Sequence, residues 1–106
     1  MKRVSFNIAK AIKEAGYPQE AEENELSYSE YCSESKIFVL IPYVMEVWLW
    51  LWKEKGIYLN IDSKVRNMTG VLIIIDEKAI KFIEREDPEE AIISAIEYLV
   101  NNDLIK

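Results

Sequence analysis

From Pro42 to Ile61 the chain reads PYVMEVWLWLWKEKGIYLNI, and the spacing of its apolar positions changes inside that run. At about 100° per residue, Val44, Val47, Trp48, Leu51 and Trp52 fall on one side of a helical wheel, widened by Met45 and Leu49. This predicts a helix over Tyr43–Lys55 lying against a core. Pro42 suits the first helical position, where its missing N–H is lost cheaply. Lys53, Lys55 and Gly56 supply a cationic last turn and a left-handed stop. From Ile57 the period drops to two. Ile57, Leu59 and Ile61 face one way and Tyr58 and Asn60 the other, as in a strand with one wet face.

The same patterning extends in both directions. Ser5 caps a short helix whose stripe is Ile8, Ala11, Ile12 and Ala15, stopped by Gly16 and Tyr17-Pro18. Leu26 to Tyr31 alternates as an edge strand, Cys32 to Ser35 is a polar turn, and Lys36–Ile41 reads as a more buried strand. Ser63–Gly70 is polar and forms a loop before Val71–Ile75, a continuously apolar, β-branched run that predicts a central strand. Asp76 to Lys78 turns the chain into Ala79–Glu84, where Ile80 and Phe82 alternate with Lys81 and Ile83 interrupts the pattern. Asp87-Pro88-Glu89-Glu90 is a capping box with Pro at the first helical position, followed by the stripe Ile92, Ala95, Ile96 and Leu99. These elements predict one α+β domain over residues 1–106. Its expected form is a mainly antiparallel sheet of three to five strands, built from Ile57–Asp62, Val71–Asp76 and Ala79–Glu84 and extended by Lys36–Ile41. Two main helices pack side by side on one face of it, and a short helix precedes them.

Three residues stand off the central helix's main stripe. Tyr43 and Trp50, one heptad apart, share the opposite side with Glu46. Either the N-terminal segment folds over these aromatics, or they form a self-association or partner surface, as Trp and Tyr do at interface anchors. Tyr43, Glu46 and Trp50 are therefore the candidate interaction surface. A membrane role is a third reading, but Ile37–Trp52 falls short of the ~20 residues that span a bilayer and is interrupted by Pro42 and Glu46.

Composition narrows the chemistry. Half of the 106 residues are apolar, as in a globular chain, and the formal charge is −6. Clustered cations are what phosphate backbones require, so no nucleic-acid partner is expected. Between Lys13 and Lys36 there is no cation, and past Gln19 the stretch carries Glu20, Glu22, Glu23, Glu25, Glu30 and Glu34. That run reads as a solvated loop, or else as an acidic surface for a basic protein patch. Histidine is absent and Cys32 is the single cysteine, which removes the commonest general base and a cysteine zinc site. Glu30 and Glu34 beside Cys32 are expected to raise its thiol pKa. Glu84, Glu86, Asp87, Glu89 and Glu90 could hold a hard cation but lack the spacing of a calcium loop. No phosphate loop or nucleophile–base pair is present, so no enzyme, metal or cofactor is predicted. The first residues lack the apolar core of a signal peptide, which points to the cytoplasm.

Pro42, Val47, Trp50, Leu51, Gly56 and Ile57 carry a resemblance to small uncharacterised proteins of phages and other mobile elements of gut bacteria. Glu90, Ala91, Ala95 and Ile96 look like the C-terminal helix of those proteins, and Ile12 to Tyr17 like their N-terminal helix. The chain departs from them in Trp48 and Trp52 and in lacking a histidine near the helix end. The resemblance implies no activity. The element order from Tyr43 to Asn101, helix, three strands, helix, is also similar to double-stranded-RNA-binding domains, and its end near Pro88 looks like antitoxins of the HicB type. The expected function is a non-enzymatic interaction or regulatory module acting on another protein, as a monomer or weak homodimer. The alternative is an antitoxin-like inhibitor on a double-stranded-RNA-binding-type scaffold.

Overall fold

The computed structural model describes residues 2–19, 28–65 and 67–105. The fold is α+β. Its elements are α1 (Phe6–Glu14), β1 (Ser29–Cys32), β2 (Ile37–Leu40), α2 (Val44–Lys55), β3 (Ile57–Val65), β4 (Met68–Ile75), β5 (Lys78–Arg85) and α3 (Pro88–Asn101). β3, β4 and β5 form an antiparallel sheet in that order, and β1 and β2 form a separate hairpin. Lys36–Ile41 therefore does not extend the main sheet, against the expectation. Val39 and Cys32 turn the hairpin's buried side inward, where β2 meets α1, and Pro42 follows two residues after the strand's end at Leu40.

Each helix end has a local cause. Ser5 accepts a hydrogen bond from the Ile8 N–H at the start of α1. Asp87 accepts from the Glu89 N–H, with Pro88 at the head of α3. Gly56 ends α2 at φ 64°, a left-handed turn that feeds β3 at once. The start of α2 differs from its prediction: Tyr43, not Pro42, borders the helix and makes no side-chain cap. The N-terminal segment does that work. The Val44 N–H donates to the Lys2 carbonyl, the Val4 N–H donates to the Pro42 carbonyl, and Arg3 bridges Tyr43.

The core lies between the main sheet and its helices. Ile57 and Leu59 of β3, Val71 and Ile73 of β4 and Ile83 of β5 are buried on one face. α2 lies against β3, α3 against β4 and β5, and the two helices touch. Val47, Leu51, Ala95, Ile96 and Leu99 fill that space with no exposed surface. α1 adds Ile8, Ala9 and Ile12 and packs on α3.

The hairpin between β4 and β5 explains a second departure. Asp76 and Glu77 both have positive φ, 52° and 65°, the geometry of a two-residue turn that matches strand twist. Ile75 pairs with Lys78 and Ile74 with Ala79, but Ile73 pairs with Lys81. Ile80 is thus the extra residue of a bulge. One inserted residue reverses which face each later side chain takes. Ile83 turns to the core, and Ile80 and Phe82, expected inside, turn to solvent.

Candidate interaction surface

Tyr43, Glu46 and Trp50 do not form one open patch. Trp50 is only 8% exposed and Tyr17 closes over it, ring centroids 5.1 Å apart. Lys55 brings its ammonium to 5.5 Å from the same ring on another side. The Tyr17 hydroxyl donates to Glu46, and burial followed by that carboxylate pushes the phenol up to about 12. Glu46 is otherwise exposed. Tyr43 is half-buried, with the Arg3 guanidinium 4.0 Å above its ring. Arg3 also donates to the Ile41 carbonyl at 2.6 Å, which fixes it there. Residues of the N-terminal segment thus cover both aromatics. The acidic run falls largely at 20–27, outside the described residues.

Rotation of the α2 stripe moves other aromatics outward. Trp52, predicted on the core side, is 56% exposed and Leu49 lies beside it. Trp48 is half-buried and its indole Nε1 donates to the Leu59 carbonyl at 3.1 Å. Among the described residues β3 pairs only with β4, so this bond occupies a carbonyl on the edge away from β4. Trp48, Leu49, Trp52 and Tyr58 line a cleft of about 230 Å³ between α2 and β3.

Tyr58 joins this cleft to the outer face of the sheet, the side away from α2 and α3. Cross-strand pairing places Tyr58, Ile74 and Ala79 in one row there. Asn60, Leu72 and Phe82 form the next row, and Asp62, Gly70 and Glu84 the third. Phe82 is 46% exposed and leans over Gly70, so that a Cβ built on Gly70 would come within 2.5 Å of its ring. The result is an apolar strip from Trp52 to Phe82 with carboxylates at its far end. A signal for it stood in the sequence: a run as continuously apolar as Val71–Ile75 has greasy side chains on both faces of its sheet. A smaller patch sits on the β1–β2 hairpin, where Tyr31 and the well-exposed Phe38 meet edge to face at 5.3 Å.

The chemistry-bearing side chains are held elsewhere. Cys32 is buried at 3% exposure, and its thiol pKa is lowered, not raised. The cause is hydrogen bonding from the Ser35 side chain and backbone in the turn, which outweighs the raising effect of burial. Glu34 faces Lys10 instead, at 2.8 Å. In the cluster at the head of α3, a lysine takes the place of a metal ion. Lys2 Nζ lies 2.7 Å from Asp87 Oδ2 and 2.5 Å from Glu90 Oε1, and the Lys2 backbone N–H donates to Glu89. Among the described residues no group of three or more Cys, Asp and Glu is placed to hold a metal ion. Nor is any helix among them long and apolar enough to cross a membrane.

Comparison with family models, with curated proteins and with solved structures gives no match.

Proposed function

We propose that this chain is a non-enzymatic protein-interaction or regulatory module, of the kind encoded by phages and mobile elements, that docks a protein partner on the outer face of its sheet. The observation that carries this reading is the strip Trp52–Tyr58–Ile74–Leu72–Phe82, in which Trp52, Tyr58 and Phe82 are exposed and Ile74 and Leu72 are half-buried between them. Exposed apolar surface that is contiguous, and not scattered, marks interaction sites. The module works without nucleic acid or membrane, in the cytoplasm, as a monomer or weak homodimer. The acidic balance of −6 favours this over a phosphate-backbone partner.

A second reading is favoured by one specific feature. The order α2–β3–β4–β5–α3, with both helices against the same side of the sheet, suits an antitoxin-like inhibitor on a double-stranded-RNA-binding-type scaffold. Fold alone assigns no function. Pull-down from the native host with wild type and Phe82→Glu tests the docking reading. The expected result is a partner retained by wild type and lost with Phe82→Glu, whose circular dichroism stays native. A partner retained equally by both refutes docking on this face. A toxin among the specific partners would select the second reading.

A further inference from the structure

The outer face of the sheet has a shape and a charge that specify what covers it. It is three strands wide, so β3 and β5 lie about 10 Å apart, the diameter of one α-helix. From the row of Tyr58 to the row of Asp62 the strip runs about 13 Å, or some nine helical residues. Edge pairing is disfavoured on both sides. The Leu59 carbonyl on the β3 edge is held by Trp48, and the β5 edge is bulged at Ile80 and carries Lys81.

Charge is segregated between the two faces of β5. Lys78 pairs with Ile75, Lys81 with Ile73 and Arg85 with Thr69, so all three cations lie on the helix side. Lys81 indeed reaches the Tyr98 ring of α3, at 5.8 Å. Glu84 lies on the outer side, in the row with Asp62, and Asp76 and Glu77 stand at the opposite end in the turn. Among the described side chains, an apolar strip one helix wide thus carries carboxylates at both ends. A second copy of this chain would bring like charges together there.

Resting on the docking reading above, we infer that the partner presents an amphipathic helix with an apolar stripe and Lys or Arg flanking it. Its apolar side chains lie along Tyr58, Ile74, Leu72 and Phe82, and a large one fills the cleft at Trp52. Its cations meet Glu84 at one end and the Asp76-Glu77 turn at the other. This is the helix-on-sheet arrangement that completes a third layer.

Amide-shift titration of the full chain with three designed peptides tests this. The first is a Leu/Lys peptide of about eighteen residues with helical spacing, the second its Leu/Glu counterpart, and the third a Leu/Lys peptide of alternating pattern. The helical Leu/Lys peptide is expected to shift residues of the three outer rows, at least tenfold tighter than the other two. Ile74→Glu, with α2 and α3 resonances unchanged, is expected to abolish the effect. Tighter binding of the acidic or alternating peptide on the same rows overturns the basic-helix inference and leaves sheet-face docking standing. Shifts elsewhere, no shifts with any peptide, or a wild-type dimer that buries these rows overturn both.

Discussion

Tyr17 stands edge-on to Trp50, ring planes at 71° and centroids 5.1 Å apart. A residue beyond the end of α1 thereby buries a tryptophan on the side of α2 that helical periodicity assigns to solvent. Such pairs add to the area they bury. Trp50→Ala is expected to lower stability by ~3–5 kcal/mol, the usual loss for a buried large aromatic. Trp52→Ala, outside the core, is expected to stay within ~0.5 kcal/mol. Denaturant midpoints check the order, and equal effects would contradict this packing. Trp50→Lys is expected to unfold the chain and not to yield a folded monomer from a dimer, which sedimentation with circular dichroism distinguishes.

The Lys2 clasp predicts a pH dependence with two limits. Hydrogen bonds that Lys2 donates to Asp87 and Glu90 raise its amine above the ordinary 10.5, and Lys2 lowers the Asp87 carboxyl below 3.8. A raised cation stabilises fully below the ordinary value and loses its contribution as pH climbs through the folded one. A lowered carboxylate stabilises above its ordinary value and loses its contribution as pH falls through the folded one. The stability gap between wild type and Lys2→Met is therefore expected to be flat from about pH 5 to 9 and to close at both extremes. Since the partners are half-exposed, about 1 M salt should shrink it as well. A gap indifferent to both would mean that Lys2 acts through packing alone.

Gly70 and Phe82 form a coupled pair on the outer face. A Cβ at position 70 meets the Phe82 ring at 2.5 Å and the Asp62 carbonyl at 3.3 Å. The ring is at the exposed end of its side chain and can swing away. Gly70→Ala is expected to destabilise wild type but to be neutral or favourable in a Phe82→Ala background. A coupling of ~0.5–3 kcal/mol in a double-mutant cycle is the expected reading. Additive effects would show that the ring does not rest on the glycine.

Cys32 is expected to be slow toward iodoacetamide in the native state, because it is 3% exposed, and fast once denatured. Its thiolate absorbance should titrate with a midpoint below 9.0 and move upward in Ser35→Ala. An unchanged midpoint would remove Ser35 as the cause.

The local elements were largely legible in the sequence, because their signals are local. The Ser5 and Asp87 caps and the Gly56 stop stand where spacing puts them, whereas β3 and β4 run on to Val65 and from Met68, into the stretch Ser63–Gly70 expected to be a loop. What periodicity could not supply was phase. On α2 nearly every position is apolar, so the choice between Trp50 and Trp52 fell to tertiary neighbours such as Tyr17. On β5 a single bulge exchanged Phe82 for Ile83 in the core. Both misassignments hid the same surface. That β1 and β2 form a hairpin apart from the main sheet, with β2 against α1, is a tertiary relationship that no window of sequence contains.

The bond from Trp48 to the Leu59 carbonyl also bears on how the molecule behaves when crowded. An endless fibre built by sheet extension needs two competent, unlike edges on each subunit, one to offer and one to accept. In the three-stranded sheet the β3 edge is engaged at Leu59, its third residue, by an indole from the preceding helix. The β5 edge is bulged at Ile80, so extension of this sheet from copy to copy is disfavoured at both edges. A chain with this much exposed aromatic surface can thus be stored concentrated without templating a filament from that sheet.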